Sequence, residues 1–125
     1  MRKEENEHNQ VCQWLRYQYP NIIFNTDLSG IKLSMGAAVK AAKLRSNKGF
    51  PDIVIYEKKG GFGACFIELK RTGEKLFKKD GKTYKTEHLE EQANMIIKLV
   101  NNGYYANFAI GFEDAKKQID EYLAL

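Results

Sequence analysis

Apolar residues recur along the first twenty positions at the spacing of a helix. Val11, Leu15 and Tyr19 fall at i, i+4 and i+8, with Cys12 and Trp14 on the flanks, which predicts a helix over 4–19. Pro20 stops it, because proline lacks an N–H and disfavours a helical residue before it. Ile22-Ile23-Phe24-Asn25 reads as a short strand, and Asp27-Leu28-Ser29-Gly30 as a turn. Met35, Val39, Ala42 and Leu44 in an Ala-rich stretch predict a second helix over 35–47, closed by Asn47 to Gly49. Ile53-Val54-Ile55-Tyr56 and the run from Ala64 to Lys70 form the two arms of a hairpin about Gly60-Gly61. A third helix over 88–102 places Leu89, Ala93, Ile96, Ile97 and Val100 on one face and ends at Gly103. Tyr105 to Ile110 is a strand, and 114–124 is a last helix built on Ala115, Ile119, Tyr122 and Leu123. The order α-β-α-β-β-α-β-α, with a hairpin followed by a helical crossover to another strand, implies an α/β fold. Its mixed sheet carries helices on both faces.

Composition narrows the class. The 125 residues are 43% hydrophobic and 29% charged, a globular balance and one domain's worth, 1–125. No apolar run reaches the length of a membrane span, and the first residues lack the apolar region of a signal peptide. Cys12 and Cys65 have no metal-ligand spacing and read as reduced core thiols of a cytoplasmic protein. With only His8 and His88 present, a His-rich zinc site is not expected. The net charge of +4 is unevenly spread. Residues 1–39 hold four basic and four acidic side chains, 40–85 thirteen and five, and 86–125 three and seven. The middle third is the electrostatic footprint of a phosphate-binding surface, although lysines also serve simply to solubilise. Within it, 71–87 carries six Lys/Arg and two Gly with no clear period, and a loop of that length is usually functional or mobile.

The hairpin carries the chemistry. Glu68 and Lys70 are two apart on one strand and share a face. If the turn centres on Gly60, paired positions sum to 120, and Asp52 stands opposite Glu68, with Cβ atoms about 5 Å apart. A centre displaced by one would send them to opposite faces. Two opposed carboxylates repel, and a hard divalent cation such as Mg²⁺ or Mn²⁺ turns that repulsion into a binding site. Carboxylates, a cation and a nearby lysine are what phosphodiester hydrolysis needs.

Gly49-Phe50-Pro51-Asp52 followed by Phe66-Ile67-Glu68-Leu69-Lys70 resembles the PD-(D/E)xK nuclease signature. More narrowly, the chain resembles the virus-type replication-repair nuclease (VRR-NUC) family over nearly its whole length. Glu7 and Gln10 match the Glu and Gln of the family's opening helix, Lys40 to Asp52 its basic lead into Gly-x-Pro-Asp, and Gln92 the Gln of its later helix. Gly103-Tyr104 matches the turn into its last strand. One departure is the insert from Glu74 to Glu87, where the family usually has a short loop.

The resemblance implies a restriction-endonuclease-like fold, a Mg²⁺ or Mn²⁺ cofactor and a DNA substrate, branched or duplex. Asp52 and Glu68 would be metal ligands, with the Leu69 carbonyl as a third. Lys70 would be the catalytic lysine, and Glu7 and Gln92 would complete the site. Lys40, Lys43, Arg45 and Lys48, together with Lys75, Lys78 and Lys79, would contact DNA. Members of this size are typical of phages and bacteria, resemble Holliday junction resolvases and dimerise. The first helix with Trp14 is a candidate interface, unless Trp14 is core. The reading is therefore a metal-dependent endonuclease acting in replication, recombination or repair. Its alternatives are a non-catalytic DNA-binding module and a partner-dependent subunit.

Overall fold

The computed structural model describes residues 3–26, 34–44 and 48–125. Its elements are α1 (Lys3–Gln18), β1 (Phe24–Thr26), α2 (Met35–Leu44), β2 (Ile53–Ile55), β3 (Cys65–Lys70), α3 (Glu87–Asn101), β4 (Tyr105–Ile110) and α4 (Gly111–Leu123). This is the predicted order. The predicted turn over 27–30, the end of the second helix at 45–47 and Arg45 lie outside the described residues.

The four strands form one mixed sheet in the order β1-β2-β3-β4. β1 and β2 are antiparallel, as are β2 and β3, while β4 runs parallel to β3. Gly60 and Gly61, with φ of 56° and 87°, turn the central hairpin, because a tight hairpin turn needs positive φ at both central positions. The register pairs Ile53 with Ile67, Val54 with Phe66 and Ile55 with Cys65. Each pair sums to 120, the register that sets Asp52 against Glu68, whereas the Lys59–Phe62 bridge at the turn sums to 121, so the turn centres between Gly60 and Gly61 and one extra residue is taken up between it and the strands.

Alternation along β3 sorts the two faces of the sheet. Cys65, Ile67 and Leu69 join Ile53, Ile55 and Ala109 beneath α1 (Val11, Leu15) and α4 (Ala115, Ile119, Tyr122), all essentially inaccessible. Burial pushes the Cys65 thiol up to about 12, so it is an inert packing group. Both cysteines are free. Phe66, Glu68 and Lys70 point to the other face. There α3 packs along β4 and buries Leu89, Gln92, Ala93 and Met95.

Four details depart from the sequence expectation. None of the residues of α2 is buried, and Met35 and Leu44 are 85% and 87% exposed. Ala-rich propensity and a Ser34 hydroxyl accepting from the Ala37 N–H at 3.2 Å form this helix locally, without a packed face. On α3, Ile97 and Val100 are about half exposed. The buried stripe runs through Gln92, a polar residue that a hydrophobicity pattern skips. α4 begins at Gly111, directly after β4, because φ of 86° at that glycine turns strand into helix without a loop.

The fourth departure is the basic stretch after β3, which is partly a small hairpin. Phe77 bridges Tyr84, the Lys78 N–H donates to the Thr83 carbonyl at 2.7 Å, and the Lys85 N–H to the Leu76 carbonyl at 2.9 Å. Asp80 closes its tip by accepting from the Thr83 hydroxyl and the N–H groups of Thr83 and Lys82. Those bonds, the Thr83 hydroxyl foremost, hold its carboxyl below the usual range. Gly81, with φ of 70°, follows Asp80 in this turn, a pair suited to a tight reversal.

Trp14 is half-buried and packs within the chain, its ring edge-on to Tyr19 and Phe112 at centroid distances of 5.6 and 6.4 Å. Trp14→Arg should therefore destabilise the fold, by about 3 kcal/mol, the low end for truncation of a core Trp. Chemical denaturation read by circular dichroism measures this. A changed oligomeric mass with unchanged stability would contradict it.

Candidate active site

β3 leaves the core through its own C-terminal half, where the burial runs unbroken from Ile67 to Lys70. A strand covered on both faces normally carries apolar residues there. This one carries Glu68, 2% exposed, and Lys70, 7% exposed. Among the described residues, the buried polar and charged side chains are Glu7, Asp52, Glu68, Lys70 and Gln92. Burying so many ionisable groups in a small sheet is costly unless each is held.

Asp52 precedes β2, and continuing the observed register by one position sets it opposite Glu68. Its Oδ2 accepts the Leu69 N–H at 2.8 Å. That bond fixes the carboxylate against β3. The N–H and carbonyl of a residue in an extended strand point to the same edge, so the Leu69 carbonyl faces the same side as Asp52. Lys70 Nζ lies 3.7 Å from Glu68 Oε2, both nearly inaccessible. Asp52, Glu68 and Lys70 sum to one negative charge. Two carboxylates and a carbonyl are all oxygen donors, a set that fits a hard divalent cation. Among the described residues no group of three or more His, Cys, Asp or Glu side chains has metal-binding geometry, so Glu7 does not join this pair as a third acid.

Gly49 explains why this segment lies where it does. Its φ is 80°, and a Cβ there would lie 3.0 Å from the Glu91 carbonyl oxygen and 3.2 Å from Gln92 Cα. Only glycine allows the chain leading to Asp52 to press against α3 at Gln92. Gln92 Nε2 donates to His88 Nε2 at 3.2 Å, which requires the Nδ1-protonated tautomer of that histidine. Gln92 Oε1 is buried and has no hydrogen-bond partner among the described residues. The sequence reading gave His88 no role, and the structure makes it the side chain that orients Gln92.

Glu7 is on α1, across the sheet, and reaches round the end of β3. Its carboxylate accepts from the Thr72 N–H at 2.8 Å and from the Thr72 hydroxyl. Gly111 closes over this contact, since a Cβ there would run into Thr72 Oγ1 and lie 3.2 Å from Glu7 Oε1. The partner that a buried carboxylate on α1 needs is thus Thr72. Thr72 and Gly111 went unnoticed in the sequence. Gln10 is exposed.

The basic residues are dispersed. Lys40 and Lys43 are exposed on α2, and Lys48 lines an open groove of about 280 Å³ with Glu91, Asn94, Met95 and Lys98. Lys75, Lys78 and Lys79 are exposed on the segment that follows β3. Among the described residues no helix is long and apolar enough to cross a membrane.

No protein-family model and no curated protein matches the chain. Among solved structures, one described as a "VRR_NUC domain protein" superposes with a TM-score of 0.66 at 22% identity, covering 100% of this chain and 91% of that one. The mixed sheet, its flanking helices and this end-to-end superposition give the chain the restriction-endonuclease-like α/β fold that it shares with that VRR_NUC domain protein.

Proposed function

We propose that this chain is a single-domain nuclease of the VRR-NUC type, a metal-dependent DNA endonuclease of the PD-(D/E)xK class. The observation that carries the reading is the buried set itself. Among the described residues Glu7, Asp52, Glu68, Lys70 and Gln92 are the buried polar and charged side chains, and they are the positions at which the family's motif requires polar chemistry. A structural core has no use for two opposed carboxylates with a lysine beside them.

Asp52, Glu68 and the Leu69 carbonyl would hold Mg²⁺ or Mn²⁺. Such an ion supplies positive charge to the scissile phosphate and acidifies water. Lys70, 3.7 Å from Glu68, donates a hydrogen bond toward the attacking oxygen or the charge that develops on the phosphate. Gln92, with its Oε1 available and its amide nitrogen set by His88, orients the incoming water. Glu7 holds the end of β3 through Thr72 and so keeps Lys70 in place. Lys40, Lys43, Arg45 and Lys48 would contact the DNA backbone. The substrate is branched DNA of the Holliday-junction kind, cut by a homodimer in phage or bacterial replication, recombination or repair.

The test is a panel of four-way junction, flap, nicked and plain duplex DNA, incubated with Mg²⁺ or Mn²⁺ or with chelator. Metal-dependent internal cuts, strongest on the junction, are the expected result. DNA binding with no cleavage of any substrate under any metal would leave a non-catalytic module in its place.

A further inference from the structure

The hairpin after β3 is the one strongly charged feature that the proposed chemistry does not use. Residues 75–85 contain five lysines and one acid, Asp80. The difference, +4, equals the net charge of the whole chain, so the remaining residues are neutral in sum. All five lysines are exposed, and among the described residues none of them makes an ion pair. The single acid is spent inside the turn, on Thr83 and Lys82. Surface lysines that only solubilise are usually interspersed with acids. These are collected on one preformed element.

The hairpin is also fixed relative to the site. It leaves the end of β3 just after Lys70 and returns at Thr86, whose hydroxyl caps α3, the helix that carries Gln92. The Phe77 and Tyr84 rings pack at 4.6 Å across it. The Tyr84 ring lies 6.4 Å from that of Phe108, which pairs in register with Glu68. Both ends and the base of the hairpin are thus tied to the elements that hold the site.

We infer that the 76–85 hairpin is a rigid arm that grips the sugar–phosphate backbone of DNA beside the cleavage site. This deepens the nuclease reading by assigning the anchor that holds the substrate. An ordered arm presents its charges without the cost of ordering a loop on binding. Its contacts go to phosphates and carry no base sequence. It confers affinity and a steep salt dependence, while the chemistry stays with Asp52, Glu68 and Lys70.

The experiment measures binding apart from cleavage. Fluorescence anisotropy with a labelled 20-base-pair duplex in EDTA gives the affinity across a series of NaCl concentrations. The variant Lys78→Ala/Lys79→Ala/Lys82→Ala should lower the slope of log K against log[salt] by about 2 to 3, and weaken binding at least about tenfold at 0.1 M salt. The control Lys58→Ala/Lys117→Ala, which removes exposed lysines elsewhere, should leave the slope nearly unchanged. If the triple variant fails to fold, Lys79→Glu alone at the hairpin tip must weaken binding more than Lys79→Ala. An unchanged isotherm, as an arm built for an acidic protein would give, overturns the proposal, and so does an equal loss in the control. Loss of cleavage in the wild type with the arm effect intact would sink the nuclease reading and leave the arm standing.

Discussion

Glu68→Gln should abolish the proposed DNA cleavage, to below about a thousandth of wild type, and should not lower the melting temperature of the metal-free protein. The two effects have one cause. Asp52, Glu68 and Lys70 bury two negative charges with one positive. The substitution keeps the shape of Glu68 and removes one charge, so in EDTA the neighbourhood becomes balanced and the melting temperature stays level or rises. Stability gained at the expense of activity marks a site whose charges are there for function. In Mg²⁺ the wild type should gain stability with the logarithm of the ion concentration, about 2.7 kcal/mol at a hundredfold excess over Kd. The variant does not. Lys70→Met behaves oppositely. It leaves two buried carboxylates without their cation, so it melts lower in EDTA and recovers in Mg²⁺ while remaining inactive. Differential scanning fluorimetry of the three proteins with EDTA and with Mg²⁺ tests this. A Glu68→Gln protein that melts well below wild type in EDTA would make Glu68 a structural residue.

This end of the molecule was readable in advance because its determinants are local. The period of two fixes which face each hairpin residue takes, and counting from Gly60 sets Asp52 opposite Glu68, a register the strands keep although the turn itself pairs Lys59 with Phe62. Glu7 lies four positions before Val11, so the periodicity of α1 sets it on the buried stripe, and Gln92 stands beside Ala93 on the inner flank of α3. What was not legible depends on contacts far apart in the chain. Thr72 and Glu7 are 65 positions apart, and an ordinary Arg-Thr-Gly after a strand gives no sign that its hydroxyl holds a carboxylate on another helix. Gly111 reads as a loop glycine until the space beside it is seen to be filled by Thr72. The apolar face of α2 shows the converse error. Met35, Val39 and Ala42 fit helical spacing, yet spacing cannot say whether anything packs against the face. The hairpin at 76–85 was hidden because each arm is only four residues long and half of those residues are lysine, and a strand that short without apolar alternation leaves no period to detect.

The same distinction between local and distant causes gives Gly49→Ala an effect larger than its size. Two costs add at this position. The first is conformational, since φ of 80° is a left-handed angle that disfavours a Cβ by about 1–2 kcal/mol. The second is contact. The new methyl would lie 3.0 Å from a helix carbonyl and 3.2 Å from Gln92 Cα, both backbone atoms that cannot rotate away as a side-chain end would. Either α3 is pushed outward, carrying Gln92 with it, or the segment leading to Asp52 retreats from the sheet and loses its bond to the Leu69 N–H. Both movements shift a site group by a fraction of an ångström to an ångström, a displacement that costs about a hundredfold in rate. Gly81→Ala separates the two costs. Gly81 has a similar φ of 70° but nothing within 4 Å of its would-be Cβ, so it bears the conformational cost alone, on a hairpin away from the reacting groups. Both variants should lose comparable stability from backbone strain, with Gly49→Ala losing somewhat more. Only Gly49→Ala should lose about two orders of magnitude in kcat, with KM little changed, whereas Gly81→Ala, on the arm that holds DNA, should act on KM and leave kcat near wild type. Equal kcat in the two variants would mean that the close approach of Gly49 to α3 does not position the site.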